Sequence, residues 1–125
     1  MSDRHGMTLN DPITLAEVTS AFDRYEKALV SNDIAVLDTL FWEDPKVVRY
    51  GAKENLYGYE EIAAFRKARP SKGLKRTLTR TVNTYATAWT EFSRPGSKQI
   101  GRQSQVWVKR AEGWRIVAAH VSNME

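Results

Sequence analysis

The chain has 125 residues, 42% hydrophobic and 27% charged, enough apolar material for one globular domain with little room for a second. No apolar run approaches the ~18 residues of a membrane helix, and Met1 to Pro12 is polar rather than signal-like. Cys 0 excludes disulfides, thiol nucleophiles and thiolate metal sites and fits a cytoplasmic protein, while 19 Lys+Arg against 15 Asp+Glu favours anionic partners.

Residues 1–12 lack periodicity and read as a flexible arm, with 13–125 as the single domain. Asp11-Pro12 looks like a helix start. From Thr14 the apolar positions Leu15, Val18, Phe22, Tyr25 and Leu29 recur at three or four and predict a long amphipathic helix. Ser31-Asn32-Asp33 breaks it and caps a short second helix carrying Ile34, Leu37, Leu40 and Phe41, which Pro45 ends. Val47 to Gly51 is β-branched and aromatic and predicts a short strand. A third helix is expected over Glu60 to Arg69, closed by Pro70, Ser71 and Gly73. The period then changes to two. Strands are expected over Lys75–Thr87, Trp89–Arg94, Gln99–Arg110 and Trp114–Ser122, with hairpin turns at Pro95-Gly96-Ser97 and Ala111-Glu112-Gly113.

Helices ahead of a run of antiparallel strands predict an α+β domain, a curved antiparallel sheet wrapped over the N-terminal helices as a cone with an internal pocket. The last strand is small or apolar on both faces, which predicts cover from a second subunit and hence a homodimer or a dimer of dimers.

Within this frame a few side chains suggest chemistry. Tyr25 lies on the buried stripe of the first helix, either as a core tyrosine or with its hydroxyl in the pocket to donate or relay a proton. Arg49 shares a strand face with Val47, so an inward Val47 brings the guanidinium inward. It then needs an anion: Asp44, Glu54 or a ligand carboxylate. Arg66 and Arg69 flank the Ile62/Phe65 stripe, either in solvent or at the mouth of the pocket. His120 and Ser122 share a face of the last strand, as structural hydrogen-bonding groups or as ligand contacts. Gln103 and Gln105 add neutral hydrogen-bonding capacity on the neighbouring strand.

Other chemistries lack their residues. The second histidine, His5, lies in the arm, so no metal site is expected. Serine-nucleophile turns, Walker loops and dinucleotide glycine patterns are missing, and no cofactor is expected. Arg66, Lys67, Arg69, Lys72, Lys75, Arg76 and Arg80 form a basic run without an acid. The run passes from helix to strand and is not interleaved with stacking aromatics, so a solvated face or pocket rim is expected rather than a nucleic-acid interface.

The segments Phe41-Trp42-Glu43-Asp44, Val48-Arg49-Tyr50-Gly51, Glu54-Asn55-Leu56-Tyr57-Gly58, Phe65 to Pro70, Gly101 to Trp107 and Gly113 to Ser122 together resemble the AtzH-like family. That family includes the HpxZ-like proteins of oxalurate catabolism and lies in the nuclear-transport-factor-2-like, or SnoaL-like, superfamily. The resemblance implies a cystatin-like cone and a dimer. It also implies a small decarboxylating amidohydrolase acting on a carboxylated urea such as 1,3-dicarboxyurea, in urea, purine or s-triazine nitrogen catabolism. The alternative it allows is a non-catalytic small-dicarboxylate binding partner of an amidase in oxalurate catabolism. On the enzyme reading, Tyr25 and Arg49 are catalytic. Arg66, Arg69, Gln105, His120 and Ser122 are substrate-binding, and no metal, cofactor, nucleic acid or membrane takes part.

Overall fold

The computed structural model describes residues 11–69, 77–84 and 86–124. Helix α1 (Pro12–Ser31) begins at Asp11, whose carboxylate accepts the Thr14 N–H at 3.0 Å. Pro12 sits in the first turn, where its missing N–H costs nothing. One stripe of α1 (Val18, Phe22, Tyr25 and Leu29) is buried. Asn32 ends the helix in the left-handed conformation, φ 54°, and its N–H donates to Leu29 O. Asp33 caps α2 (Ile34–Leu40) through the Val36 N–H. This helix stops five residues before Pro45. Phe41 turns extended and forms a parallel bridge with Ile116, and the Trp42 N–H donates to Ile116 O at 2.9 Å. Burial of Phe41 against the sheet therefore outweighs helix continuation.

The remaining elements are β1 (Val48–Tyr50), β2 (Asn55–Tyr57), α3 (Tyr59–Lys67), β3 (Thr77–Thr84), β4 (Thr87–Ser93), β5 (Ile100–Arg110) and β6 (Gly113–Met124). Their order in the single sheet is β2-β1-β6-β5-β4-β3, antiparallel throughout except for the parallel pair β1–β6. Register shifts at Leu78/Arg80 and Val106/Trp107 bend the sheet, as bulges do, so that it wraps the helices. The architecture is the expected α+β cone with a curved sheet.

Three boundaries differ from expectation. Strand β2 was not anticipated: Asn55 to Tyr57 is too short for a periodic signal and depends on β1 beside it. Strand β3 ends at Thr84, before the expected Thr87, because Thr87 pairs with Thr84 as the first residue of β4. Helix α3 ends at Lys67, and Arg69 lies beyond it, its N–H donating to Arg66 O. The N-terminal arm up to residue 10, the turn expected at Pro70, Ser71 and Gly73, and Lys72, Lys75 and Arg76 of the basic run lie outside the described residues.

The core lies between α1, α2 and the inner face of the sheet, where Ala88, Trp107, Ile116 and Ala119 are buried. The opposite face carries the row Trp89, Ser104, His120 and Tyr50 across four strands. Among the described residues, no helix is long and apolar enough to cross a membrane.

Candidate functional site: an arginine-lined cleft beneath α3

Strand alternation sets the first wall of the cleft. Val47 is fully buried, and Arg49, two residues on, lies on the same side. It is paired with Leu56 on β2 and Ala119 on β6, both buried. Helix α3 supplies Ile62, Phe65 and Arg66, the turn after it supplies Arg69, and α1 supplies Tyr25 and Leu29. These residues, with Leu56, line one cleft. Four of the residues expected to act together are therefore brought together: Tyr25, Arg49, Arg66 and Arg69.

The three guanidiniums are not equivalent. Arg49 Nη1 donates to Glu54 Oε1 at 3.1 Å, and its guanidinium lies 5.8 Å from the Phe65 ring centroid. Glu54 folds back because residue 51 is glycine: a Cβ there would collide with the Glu54 carboxylate. Arg66, itself 5% exposed, donates to Asp38 Oδ1 at 2.6 Å and stacks 4.8 Å from the Phe41 ring centroid. Phe41 in turn meets Tyr25 edge to face at 6.3 Å. Arg69 has no such partner. Its Nε and Nη2 are buried and donate to no carboxylate or carbonyl among the described residues. Burial first, then the charges of Arg66 and Arg49, push its pKa below the ordinary guanidinium value, while Tyr25 opposes. Guanidinium remains charged in any protein environment, so the consequence is an unmet demand for an anion.

The cleft is narrow. About 10 Å³ stays open, the space of one water. A ligand of several heavy atoms therefore enters only with movement of the lining side chains.

Next to the cleft the inner face of the sheet is polar. Gln105 is fully buried on β5, separated from Arg49 by Ala119 of β6 in one transverse row. Its Oε1 accepts the Trp107 indole N–H at 3.2 Å. Gln103 and Thr90 face each other on β5 and β4, 4% and 3% exposed. Gln103 Nε2, Gln105 Nε2 and Thr90 Oγ1 are buried without a hydrogen-bond partner among the described residues.

His120 and Ser122 are placed elsewhere. His120 is paired with Ser104 and Tyr50, and Ser122 with Arg102, all on the outer face. His120 is exposed and packs edge to face on Tyr50 at 5.9 Å. Together with Trp89, Ile100, Arg102 and Met124 they line an outer depression of about 630 Å³. The expectation that they share a pocket with Tyr25 is therefore corrected: alternation along β6 puts His120 opposite in sense to Ala119, the residue beside Arg49. Sequence reasoning also missed Asp38 and Thr90. Asp38 sits on a helix at no recognisable spacing from Arg66, and Thr90 looks like any strand threonine. Among the described residues no three His, Cys, Asp or Glu side chains form a group able to hold a metal.

The AtzH-like family model matches residues 7–125. The chain belongs to the AtzH-like family. A crystal structure of a protein of unknown function from Pectobacterium atrosepticum is similar at 64% identity and TM-score 0.89, covering 94% of this chain and 95% of that one. A cystatin-like fold protein from Burkholderia xenovorans is 44% identical, with TM-score 0.86 and coverage of 95% and 98%. A nuclear transport factor 2-like superfamily protein from Salmonella enterica is 26% identical, with TM-score 0.68 and coverage of 91% and 93%. Comparison with curated proteins gave no match. The AtzH-like chain thus sits in the nuclear-transport-factor-2-like superfamily, and its arginine cleft lies within the matched region.

Proposed function

We propose that the cleft binds the carboxylate of a small carboxylated urea and that the protein is a decarboxylating amidohydrolase acting on it in nitrogen catabolism. The observation that carries this reading is Arg69: two of its guanidinium nitrogens are buried without an acceptor among the described residues, beside two arginines already neutralised by Glu54 and Asp38. A planar carboxylate satisfies such a fork bidentately. An incoming anion displaces no protein carboxylate from Arg69, so its binding energy is not spent on breaking an existing ion pair.

In the proposed reaction the N–carboxylate bond breaks, its electron pair stays on nitrogen, and carbon dioxide leaves. The nitrogen takes a proton from the Tyr25 hydroxyl, which recovers one from water. Arg49 borders the same cleft with its charge engaged by Glu54. Among the described residues no serine, threonine or lysine lines it, so water is the reactant wherever hydrolysis follows.

One observation favours a second reading. Glu54 and Asp38 are each engaged by an arginine, and among the described residues no carboxylate lines the cleft to serve as a general base. A non-catalytic partner that holds a small carboxylate for an amidase needs no such base. Carbon dioxide and ammonia release from 1,3-dicarboxyurea, allophanate and oxalurate separates the two. Release above the buffer rate, lost in Tyr25→Phe, supports the enzyme; saturable binding without release supports the partner.

The dimer belongs to the same proposal. Trp89 (55% exposed), Met124 and Ile100 crowd the outer depression, and Val106 and Val108 continue it along β5. A second copy seated there covers this apolar surface. Sedimentation of the wild type against Trp89→Lys tests it, a monomeric wild type being the adverse result.

A further inference from the structure

The outer face of the sheet carries two cross-strand pairs of opposites. On neighbouring rungs of β4 and β5, Trp89 stands directly across from Ser104 and Glu91 directly across from Arg102. The first pair sets a large exposed side chain beside a small one, and the second sets an anion beside a cation. Opposite charges facing each other on an antiparallel pair attract. Yet Glu91 and Arg102 form no ion pair with each other or with any other residue among those described. Glu91 is half-buried and Arg102 exposed, and both border the outer depression together with Trp89 and Ser104.

A twofold interface uses the same patch on both copies, so the patch must be complementary to itself. For two copies packed face to face, an axis lying in the interface between β4 and β5 lays β4 of each copy over β5 of the other, rung on rung. Trp89 then meets the space above Ser104 of the second copy, and Glu91 meets Arg102 of the second copy, each contact occurring twice. Size and charge are thus matched by one operation. Stacked sheets stand about 10 Å apart, a gap that a glutamate and an arginine reaching toward each other close. Other axes fail one test or both. An axis along β5 lays Arg102 on Arg102. An axis between β5 and β6 lays Trp89 on Tyr50, large on large, and leaves Glu91 without a partner because β1 ends at Tyr50.

We infer that a second copy docks about a twofold axis between β4 and β5, with reciprocal Glu91–Arg102 ion pairs and Trp89 of each copy seated over Ser104 of the other. This rests on the proposal that a second copy covers the outer depression, and it adds which rungs meet. Apolar cover alone tolerates sliding along the strands, whereas a slip of one rung sets each charge against an uncharged side chain.

Sedimentation velocity on single variants and on their mixtures reads this directly. Glu91→Arg and Arg102→Glu each create two like-charge contacts in a homodimer and should raise its dissociation constant at least about tenfold. In an equimolar mixture each variant supplies the charge that the other lacks, so a dimer of wild-type affinity should return. Trp89→Ala and Ser104→Leu form a second couple with no change of charge, which keeps the test intact if a charge reversal fails to fold. Each should dissociate more readily than the wild type, and their mixture should associate more tightly than either. Single variants as dimeric as the wild type, or dissociated variants with no recovery on mixing, would overturn this register and leave a dimer standing. A monomeric wild type would overturn the dimer and the register together.

Discussion

Asp38 of α2 and Arg66 of α3 meet at 2.6 Å, and through this contact the second helix sets how much positive charge the cleft can offer a ligand. Tyr59 reinforces the junction by donating its hydroxyl to Asp38 O at 3.0 Å. Burial first, then Asp38 and Glu43, raise the Tyr59 pKa, so the hydroxyl stays a donor. The pair therefore links α2 and α3 while taking Arg66 out of the reckoning for an anion.

Asp38→Asn leaves the buried Arg66 guanidinium without its counter-charge. Removing one partner of a fully buried pair costs ~3–5 kcal/mol, and the Asp38 carboxylate is about a third exposed, so about 2 kcal/mol is expected here. Urea denaturation measures it. The same variant should bind carboxylates more tightly, since a second guanidinium is released; weaker binding would mean that Arg66 positions the cleft rather than competes within it.

Arg69→Met should behave oppositely. Its guanidinium is desolvated and unpaired among the described residues, so its loss removes a burial cost and no ion pair. The expected melting temperature is equal to or above that of the wild type, while carboxylate affinity drops by at least about tenfold, ~1.4 kcal/mol. A destabilised variant that binds normally would assign Arg69 to structure alone.

The sequence and the fold agree best where one physical cue acts alone. Asp11 and Asp33 are followed by helices whose third N–H they accept, so both caps could be read directly. Alternation put Val47 and Arg49 on one face and offered Glu54 as a partner, and both hold. The failures come where several elements decide together. Alternation correctly paired His120 with Ser122 but could not say which face of β6 meets α1, because the strand is small or apolar on both sides. The end of β3 at Thr84 is marked by no glycine or proline, and Arg66 of α3 finds Asp38 only after two helices pack. Of the site, the residue types were readable; which arginine remains free was not.

Glu17 gives a pH-dependent test of the packing between α1 and the end of the sheet. Its carboxylate accepts the Trp114 indole N–H at 2.7 Å and pairs with Lys109 at 3.0 Å. The Trp114 hydrogen bond first, then Lys109, hold its pKa below the ordinary 4.5. A depressed folded pKa adds stability above the unfolded value, and that stability is lost as pH falls through the folded one. Glu17→Gln should therefore lower the melting temperature at neutral pH and flatten its fall below pH 4.5. Parallel curves for wild type and variant would show that this contact adds nothing.

Thr90→Val tests whether the polar row on the inner face carries a cost in the unliganded protein. The Thr90 hydroxyl is buried without a partner among the described residues, and valine replaces it at nearly equal volume. Replacing an unsatisfied buried hydroxyl should stabilise by about 1 kcal/mol. Thermal and urea unfolding should both rise. A loss of stability instead would mean that the hydroxyl has a partner.

Gly51→Ala acts on the cleft from outside it. A Cβ at residue 51 would occupy the place of the Glu54 carboxylate, the flexible end of a side chain that can move away. The backbone of residue 51 needs no left-handed conformation, as the described glycines with positive φ are Gly58, Gly96 and Gly113. The fold should therefore tolerate the change, at a cost of about 1–2 kcal/mol for separating a part-buried ion pair. Once Glu54 is displaced, Arg49 faces the cleft without its carboxylate. Affinity for a monocarboxylate should rise, and affinity for a dicarboxylate should rise more, because a second positive charge is now unpaired. Equal or lower affinity for both would mean that Arg49 turns outward with Glu54 and does not serve the ligand.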